Sequence, residues 1–153
     1  RGGYKYGIVD EPGLPMLEEA LEKYPGLKFI GHSQPFWHEI SQDAKPDLKS
    51  RMEWGRGPVR EGGRLVCLMR NYKNLYADLS ANSGGCAIMR DEKFGLQFLE
   101  EFQDRLMFGT DMVNTDMVFP LGEWLDRQYQ EGKLSAQAYR KICFENAKKI
   151  FQL

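Results

Sequence analysis

The stretch LKFIGHSQP, residues 27–35, indicates the fold, because a short apolar run gives way abruptly to polar residues. Such a run is typical of a buried strand, and Pro35 prevents the strand from continuing. His32 therefore stands at the end of a core strand, although the chain contains only two histidines. What this position means depends on how the other strands end.

Two further stretches also read as strands that end in polar residues, namely NLYADLS (74–80) and RLMFGTD (105–111). Apolar residues recur at helical spacing before, between and after the strands, and helices are predicted over residues 14–24, 62–72, 91–104, 120–132 and 135–151. Ser135 is the expected N-cap of the last helix. Strands separated by helices, without tight hairpin signals, predict one α/β domain over residues 1–153, with about three parallel strands and intervening helices.

Chemistry in parallel sheets gathers at the carboxyl ends of the strands. Here those ends carry His32, then Asp78, then Asp111. Each has an ordinary structural interpretation, since a histidine may only be hydrogen-bonded, an aspartate after a strand often caps a helix, and Asp78 resembles a buried hydrogen-bonding carboxylate. Together, however, a histidine and a carboxylate can supply metal ligands or a base and its partner. We expect the side chains of His32 and Asp111 to approach within roughly 6 Å.

Composition excludes several other classes of function. The 153 residues carry a net charge of -1, and the isoelectric point is about 6.2, which argues against nucleic-acid and anionic-membrane partners. The sequence shows no run of 18 apolar residues and no signal peptide. Its three cysteines are odd in number and form no CxxC, which argues against a disulfide framework or a zinc knuckle. A cytoplasmic location is expected.

Four segments taken together resemble a known family: YPGLKFIGHS (24–33), KNLYADLSANSG (73–84), DRLMFGTDM (104–112) and ICFENAKKIF (142–151). They are similar to the amidohydrolase-related metal-dependent hydrolases, TIM-barrel proteins of a superfamily that also includes decarboxylases such as aminocarboxymuconate-semialdehyde decarboxylase. The resemblance implies that the chain is the C-terminal part of a (β/α)8 barrel, with strands six, seven and eight and the closing helix.

The same resemblance implies an activity and a site. It makes His32 and Asp111 catalytic residues that also bind one divalent metal ion, most often zinc, with Asp111 taking part in proton transfer. The implied function is to activate a metal-bound water that hydrolyses a C–N or C–O bond of a small molecule. A nonoxidative decarboxylase of the same superfamily is one alternative. A catalytically inactive α/β fragment or binding module is another.

The chain also departs from the family pattern. The HxH pair of strand one and the histidine of strand five have no counterpart, a complete barrel needs about 250 residues, and the first residue is Arg1. The first half of the barrel is therefore expected to be absent from this chain. His32 and Asp111 offer two ligands where catalytic zinc usually has three, so the chain alone should be inactive and bind metal weakly. A missing N-terminal half or a homo-oligomer should cover the strand at 27–31.

The segment 41–64 is too long for an ordinary strand-to-helix connection and lacks apolar periodicity. One interpretation is a solvated excursion. The other is a lid over the site whose arginines grip a carboxylate or phosphate through paired hydrogen bonds. The second interpretation predicts that Arg56 and Arg60 bind a small-molecule substrate through such an anionic group, a carboxylate being one possibility. Ser80, at the end of the second strand, is also predicted to bind the substrate.

Overall fold

A three-stranded parallel sheet lies at the centre of the computed structural model, which describes residues 7–153. The strands are β1 (Phe29–Gly31), β2 (Leu75–Asp78) and β3 (Leu106–Met107), and β2 lies between the other two. Ile30 pairs with Tyr76 in parallel register. The three predicted strands and their parallel direction are confirmed, although each strand is shorter than the apolar stretch that predicts it.

The helices, in chain order, are α1 (Pro15–Lys23), α2 (Ser33–His38), α3 (Leu48–Arg51), α4 (Arg64–Asn71), α5 (Ala81–Met89), α6 (Glu92–Glu101), α7 (Leu121–Gln130), α8 (Ala136–Arg140) and α9 (Asn146–Phe151). All five predicted helical stretches are confirmed, and Ser135 accepts the expected capping hydrogen bond from the Ala138 N–H. The sequence did not predict α3 or α5, because α3 is a single turn and α5 contains a Gly84–Gly85 pair that disfavours helix.

The sheet has one face covered by helices and one face that is only partly covered. Leu75, Ala77 and Leu106 are fully buried in the main core, together with apolar residues of the surrounding helices. Successive side chains of a strand point to opposite faces. Ile30, at 37% exposed, and Asp78 therefore lie on the other face. This second face, and not the core, is available for binding.

The C-terminal helices fasten β3 in place. Asn146 is buried, and its side-chain amide donates hydrogen bonds to the carbonyl oxygens of Gln103 (2.6 Å) and Leu106 (2.7 Å). Between α8 and α9 the helix widens into a π-helical turn, Lys141–Glu145, and the Ile142 carbonyl of that turn accepts a hydrogen bond from the Phe108 N–H at 2.8 Å. The ENAKKIF segment thus positions the strand that leads to Asp111.

The approach of α2 to the end of β1 depends on Gly31. A Cβ atom at Gly31 would lie 2.1 Å from the ring of Phe36, which is fully buried. Any side chain there would displace the ring, so the absence of a Cβ lets α2 turn back directly after His32.

Two further features bear on the class of protein. Within residues 7–153, none of the helices has the length and apolar character that crossing a bilayer requires. The thiols of Cys67, Cys86 and Cys143 are free and partly buried.

Candidate active site at the strand tips

The register of the sheet brings His32 and Asp78 together. Ile30 lies opposite Tyr76, and the residue two positions further along each strand points to the same face. His32 and Asp78 are therefore neighbours across the β1–β2 boundary. His32 Nδ1 lies 3.1 Å from Asp78 Oδ1, which is a hydrogen-bonding distance.

Asp111 reaches the other side of the same imidazole. Its Oδ2 lies 3.8 Å from His32 Nε2, well within the expected 6 Å. The turn that carries Asp111 is tied to the neighbouring strand end, because the Ala81 N–H donates to the Thr110 carbonyl at 3.2 Å. The predicted proximity of His32 and Asp111 is confirmed, and their catalytic and metal-binding roles stay predictions.

Each strand is followed by a non-glycine residue with a positive φ angle: Ser33 (69°), Ala81 (53°) and Asp111 (52°). This left-handed conformation costs roughly 1–2 kcal/mol for an L-residue, although aspartate tolerates it better than most. The sharp turns end the strands at the same edge, and the cost is borne by the packing around them. Such strain is concentrated at functional sites in many proteins.

Asp78 is the most strongly held side chain of the cluster. Besides His32, its Oδ1 atom accepts hydrogen bonds from the Ser80 N–H (3.0 Å) and the Ser80 hydroxyl (2.5 Å). The Trp37 indole N–H donates to the Asp78 carbonyl at 3.1 Å. Asp78 is thus the hydrogen-bonding carboxylate that the sequence suggests. Its place beside His32 was not predicted, although the alternation of strand residues could have revealed it.

Ser80 lies in the site but is engaged within the protein. It is 7% exposed, and its hydroxyl donates to Asp78 while lying 3.2 Å from His32 Nδ1. The predicted contact of Ser80 with a substrate stays a prediction, since the structure shows this hydroxyl bonded to its neighbours.

A cleft of about 420 Å³ opens over the cluster. Its polar lining comes from the strand tips, and its apolar lining comes from Ile30, Met107, Phe108, Ala147 and Phe151. This size and this mixture of apolar walls with a few convergent polar groups suit a small organic molecule.

The segment 41–64 is anchored by one buried arginine. Arg51, at 2% exposed, donates hydrogen bonds to the carbonyl oxygens of Asp10 (2.7 Å) and Glu11 (3.4 Å). Its Nε atom also lies 3.9 Å from a carboxylate oxygen of Glu39, which is likewise buried. Most residues of the segment are exposed, as a solvated excursion predicts, but Arg51 inserts its middle into the protein.

The two arginines predicted to bind substrate do not line the cleft over His32. Arg56 is exposed and lines a separate cleft of about 260 Å³ together with Arg90, Asp43 and Glu53. Arg60 is 74% exposed and lies 4.0 Å from Asp43. The structure does not bring Arg56 and Arg60 to the strand tips, and their contact with a substrate stays a prediction.

The second histidine lies apart from the strand tips. His38 is partly buried at the end of α2, and its Nε2 atom is 2.9 Å from the Lys45 carbonyl. It lines the cleft of Arg56 rather than that of His32.

The strand-tip residues can be tested for their fit to a metal ion. Two donors about 2.1 Å from one tetrahedral ion lie roughly 3.4 Å apart, close to the 3.8 Å between His32 Nε2 and Asp111 Oδ2. Asp111 is half exposed and has room for this small approach. Among residues 7–153, no group of three or more His, Cys, Asp or Glu side chains is arranged so that it could hold a metal ion. His32 and Asp111 thus fit as two ligands of a metal site, but they do not form a complete metal site by themselves.

Comparison with known proteins identifies the family. The model of a family described as amidohydrolase matches residues 8–153, which is nearly the whole chain. No curated protein and no solved structure matches the chain. Because this match covers nearly the whole chain, the chain belongs to the amidohydrolase family, and this membership supports an enzymatic, hydrolase or decarboxylase-like role that typically involves metal ions.

Proposed function

We propose that this chain is the C-terminal part of a (β/α)8 barrel in a metal-dependent enzyme that hydrolyses a C–N or C–O bond of a small molecule. The family match supports the hydrolase class. The observation that carries the proposal is the pair formed by His32 Nε2 and Asp111 Oδ2, 3.8 Å apart at the edge of the sheet where such enzymes place their chemistry. The open second face of the sheet is consistent with a barrel interior.

His32 and Asp111 would hold one divalent ion, with zinc as the proposed metal because imidazole and carboxylate are both common zinc ligands. When bound, the metal would lower the pKa of a coordinated water and polarise the bond to be cleaved. The remaining ligands would come from residues of the barrel that precede this chain.

The protein's own groups would then bind the substrate and move protons. The apolar wall formed by Phe108 and Phe151 would exclude water from one side of the substrate. The Asp111 carboxylate faces the cleft and is half exposed, so it can accept a proton and pass it to the leaving group. A carboxylate on the substrate could be bound by Arg56 or Arg60 if the substrate extends toward segment 41–64.

The decisive experiment compares Asp111→Asn with the wild-type protein, purified as the cell makes it and tested on a panel of small amides and esters. The variant keeps the shape of the side chain but loses the charge that balances a cation and the base that moves a proton. We expect turnover to fall by at least about a hundredfold, while the thermal unfolding midpoint and circular dichroism stay unchanged.

The matched control is Asp116→Asn, which makes the same chemical change at an exposed position outside the cleft. This control should retain turnover. Full activity in folded Asp111→Asn would refute the proposal. Release of carbon dioxide, without hydrolysis, from a carboxylate substrate would instead indicate a decarboxylase of the same family.

A further inference from the structure

We propose that Asp78 is a positioning residue that holds the His32 imidazole in the tautomer with its proton on Nδ1. The lone pair of Nε2 is then directed toward Asp111 and the cleft. This inference rests on the proposed function, in which Nε2 is the atom that binds a metal or takes a proton. It assigns a role to a carboxylate that lines the cleft but is hydrogen-bonded within the protein, to His32 and Ser80.

The first support comes from the hydrogen bonds around one oxygen atom. An ionised carboxylate can only accept, and Asp78 Oδ1 lies 3.1 Å from His32 Nδ1. The same oxygen receives the N–H and the hydroxyl of Ser80. Because the Ser80 hydroxyl donates its one proton to Asp78, it has none left for His32 Nδ1. The proton between Asp78 and His32 must therefore come from the imidazole.

The opposite tautomer fits the geometry poorly. With the proton on Nε2, the lone pair of Nδ1 would face the lone pairs of Asp78 Oδ1 at 3.1 Å. The proton on Nε2 would gain no hydrogen bond to Asp111 in return, because Asp111 Oδ2 at 3.8 Å lies beyond hydrogen-bond distance. The tautomer with the proton on Nδ1 satisfies Asp78 and leaves Nε2 unprotonated.

Asp78 is itself well placed to act as a fixed point. It is the last residue of the central strand, and the Trp37 indole holds its carbonyl from α2. Asp111, by contrast, lies in a turn outside the strands and is 52% exposed. One carboxylate orients the imidazole from the rigid sheet, and the other is free to follow a ligand. Hydrogen-bonding partners of this kind fix the orientation of histidine ligands in metal sites generally.

The chain offers an internal standard for a test by nuclear magnetic resonance, because it contains only two histidines. His38 Nε2 lies 2.9 Å from the Lys45 carbonyl, which can only accept, so His38 must carry its proton on Nε2. In ¹⁵N spectra of the neutral imidazoles, we expect the two histidines to show opposite tautomers. His38→Gln assigns the two sets of signals. A wild-type His32 that carries its proton on Nε2 would overturn the inference.

Two variants sharpen this test. In Asp78→Asn, an amide N–H can face Nδ1, so the proton of His32 should shift to Nε2, as occurs when the aspartate of a catalytic triad is replaced by asparagine. Ser80→Ala removes a hydroxyl but leaves the carboxylate, so His32 should keep its proton on Nδ1. A folded Asp78→Asn protein with an unchanged tautomer, or a tautomer that switches only in Ser80→Ala, would contradict the role of Asp78.

The spectra need neither metal nor substrate, so they separate this inference from the proposed function. If Asp78→Asn fails to fold, the wild-type spectrum still decides the tautomer. If His32 carries its proton on Nδ1 but Asp111→Asn retains full turnover, the proposed function is refuted and the positioning by Asp78 stands. If His32 carries its proton on Nε2 while Asp111→Asn is inactive, the positioning by Asp78 is refuted and the proposed function stands.

Discussion

The strand-tip cluster and the segment 41–64 are held in place in different ways. At the tips, His32 and Asp78 meet because two adjacent strands share a register, and their contact is 3.1 Å. In the segment, the position of the chain depends on Arg51, whose hydrogen-bond partners are backbone carbonyl oxygens 40 and 41 residues away in sequence. The first arrangement follows from a repeating pattern, and the second depends on contacts of individual side chains.

This difference separates what can be inferred from sequence from what cannot. A parallel strand pair repeats every two residues, so knowing where the strands end is enough to place their last side chains on one edge. Backbone carbonyls, in contrast, are present at every residue and leave no trace in composition. Nothing in the sequence distinguishes Arg51, which is buried, from Arg56, which is exposed.

The largest expected effect tests the anchoring of the segment. Arg51→Ala should lower the free energy of unfolding by about 3 kcal/mol, because it leaves the buried Glu39 carboxylate and two backbone carbonyls without this partner. Urea unfolding of the variant and the wild type measures the loss. Lys49→Ala, an exposed change in the same short helix, is the control and should cost little. Equal effects of the two substitutions would show that Arg51 is not an anchor.

The sequence predicted the strands, the main helices and the proximity of His32 to Asp111. It did not predict α5, because the Gly84–Gly85 pair suggests a loop and the helix is stabilised by burial of its neighbours in the core instead of by intrinsic propensity. It also did not predict the hydrogen bond from the Ser80 hydroxyl to Asp78, and the contact of Ser80 with a substrate stays a prediction. The helix α5 thus depends on tertiary contacts that local patterns do not encode, whereas the Ser80–Asp78 bond joins residues only two apart in sequence.

A second prediction concerns the point where the segment meets α6. Asp91 accepts hydrogen bonds from the backbone N–H groups of Val59 (3.0 Å) and Phe94 (3.1 Å), and thus caps α6 while holding the segment. These two bonds keep the pKa of the Asp91 carboxyl below its ordinary value. Asp91→Ala should cost about 1 kcal/mol at neutral pH, the usual value of a lost cap.

The dependence on pH follows from the direction of that shift. Because the folded state lowers the pKa of Asp91, its stabilisation is complete above about pH 4, the ordinary range of aspartate, and is lost as pH falls through the depressed pKa. The difference in unfolding free energy between wild type and Asp91→Ala should therefore shrink in acid. Asp47→Ala removes an exposed cap of α3 alone and should have a smaller effect at neutral pH. A difference that grows as the pH is lowered would contradict this account.

The smallest effect is expected at Arg60, through which segment 41–64 would contact a substrate bound at the strand tips. Arg60 is 74% exposed and lies 4.0 Å from Asp43, so Arg60→Ala should change the unfolding free energy by less than about 0.5 kcal/mol. An exposed ion pair contributes about 0.2–1 kcal/mol. If Arg60 binds a substrate carboxylate, KM should therefore rise about threefold while kcat stays constant, and a neutral analogue with the same leaving group should show no change. A KM for the carboxylate substrate that is the same in Arg60→Ala as in the wild type would exclude Arg60 from substrate binding and restrict recognition to the cleft over His32, because the substitution leaves the backbone bonds of the segment in place.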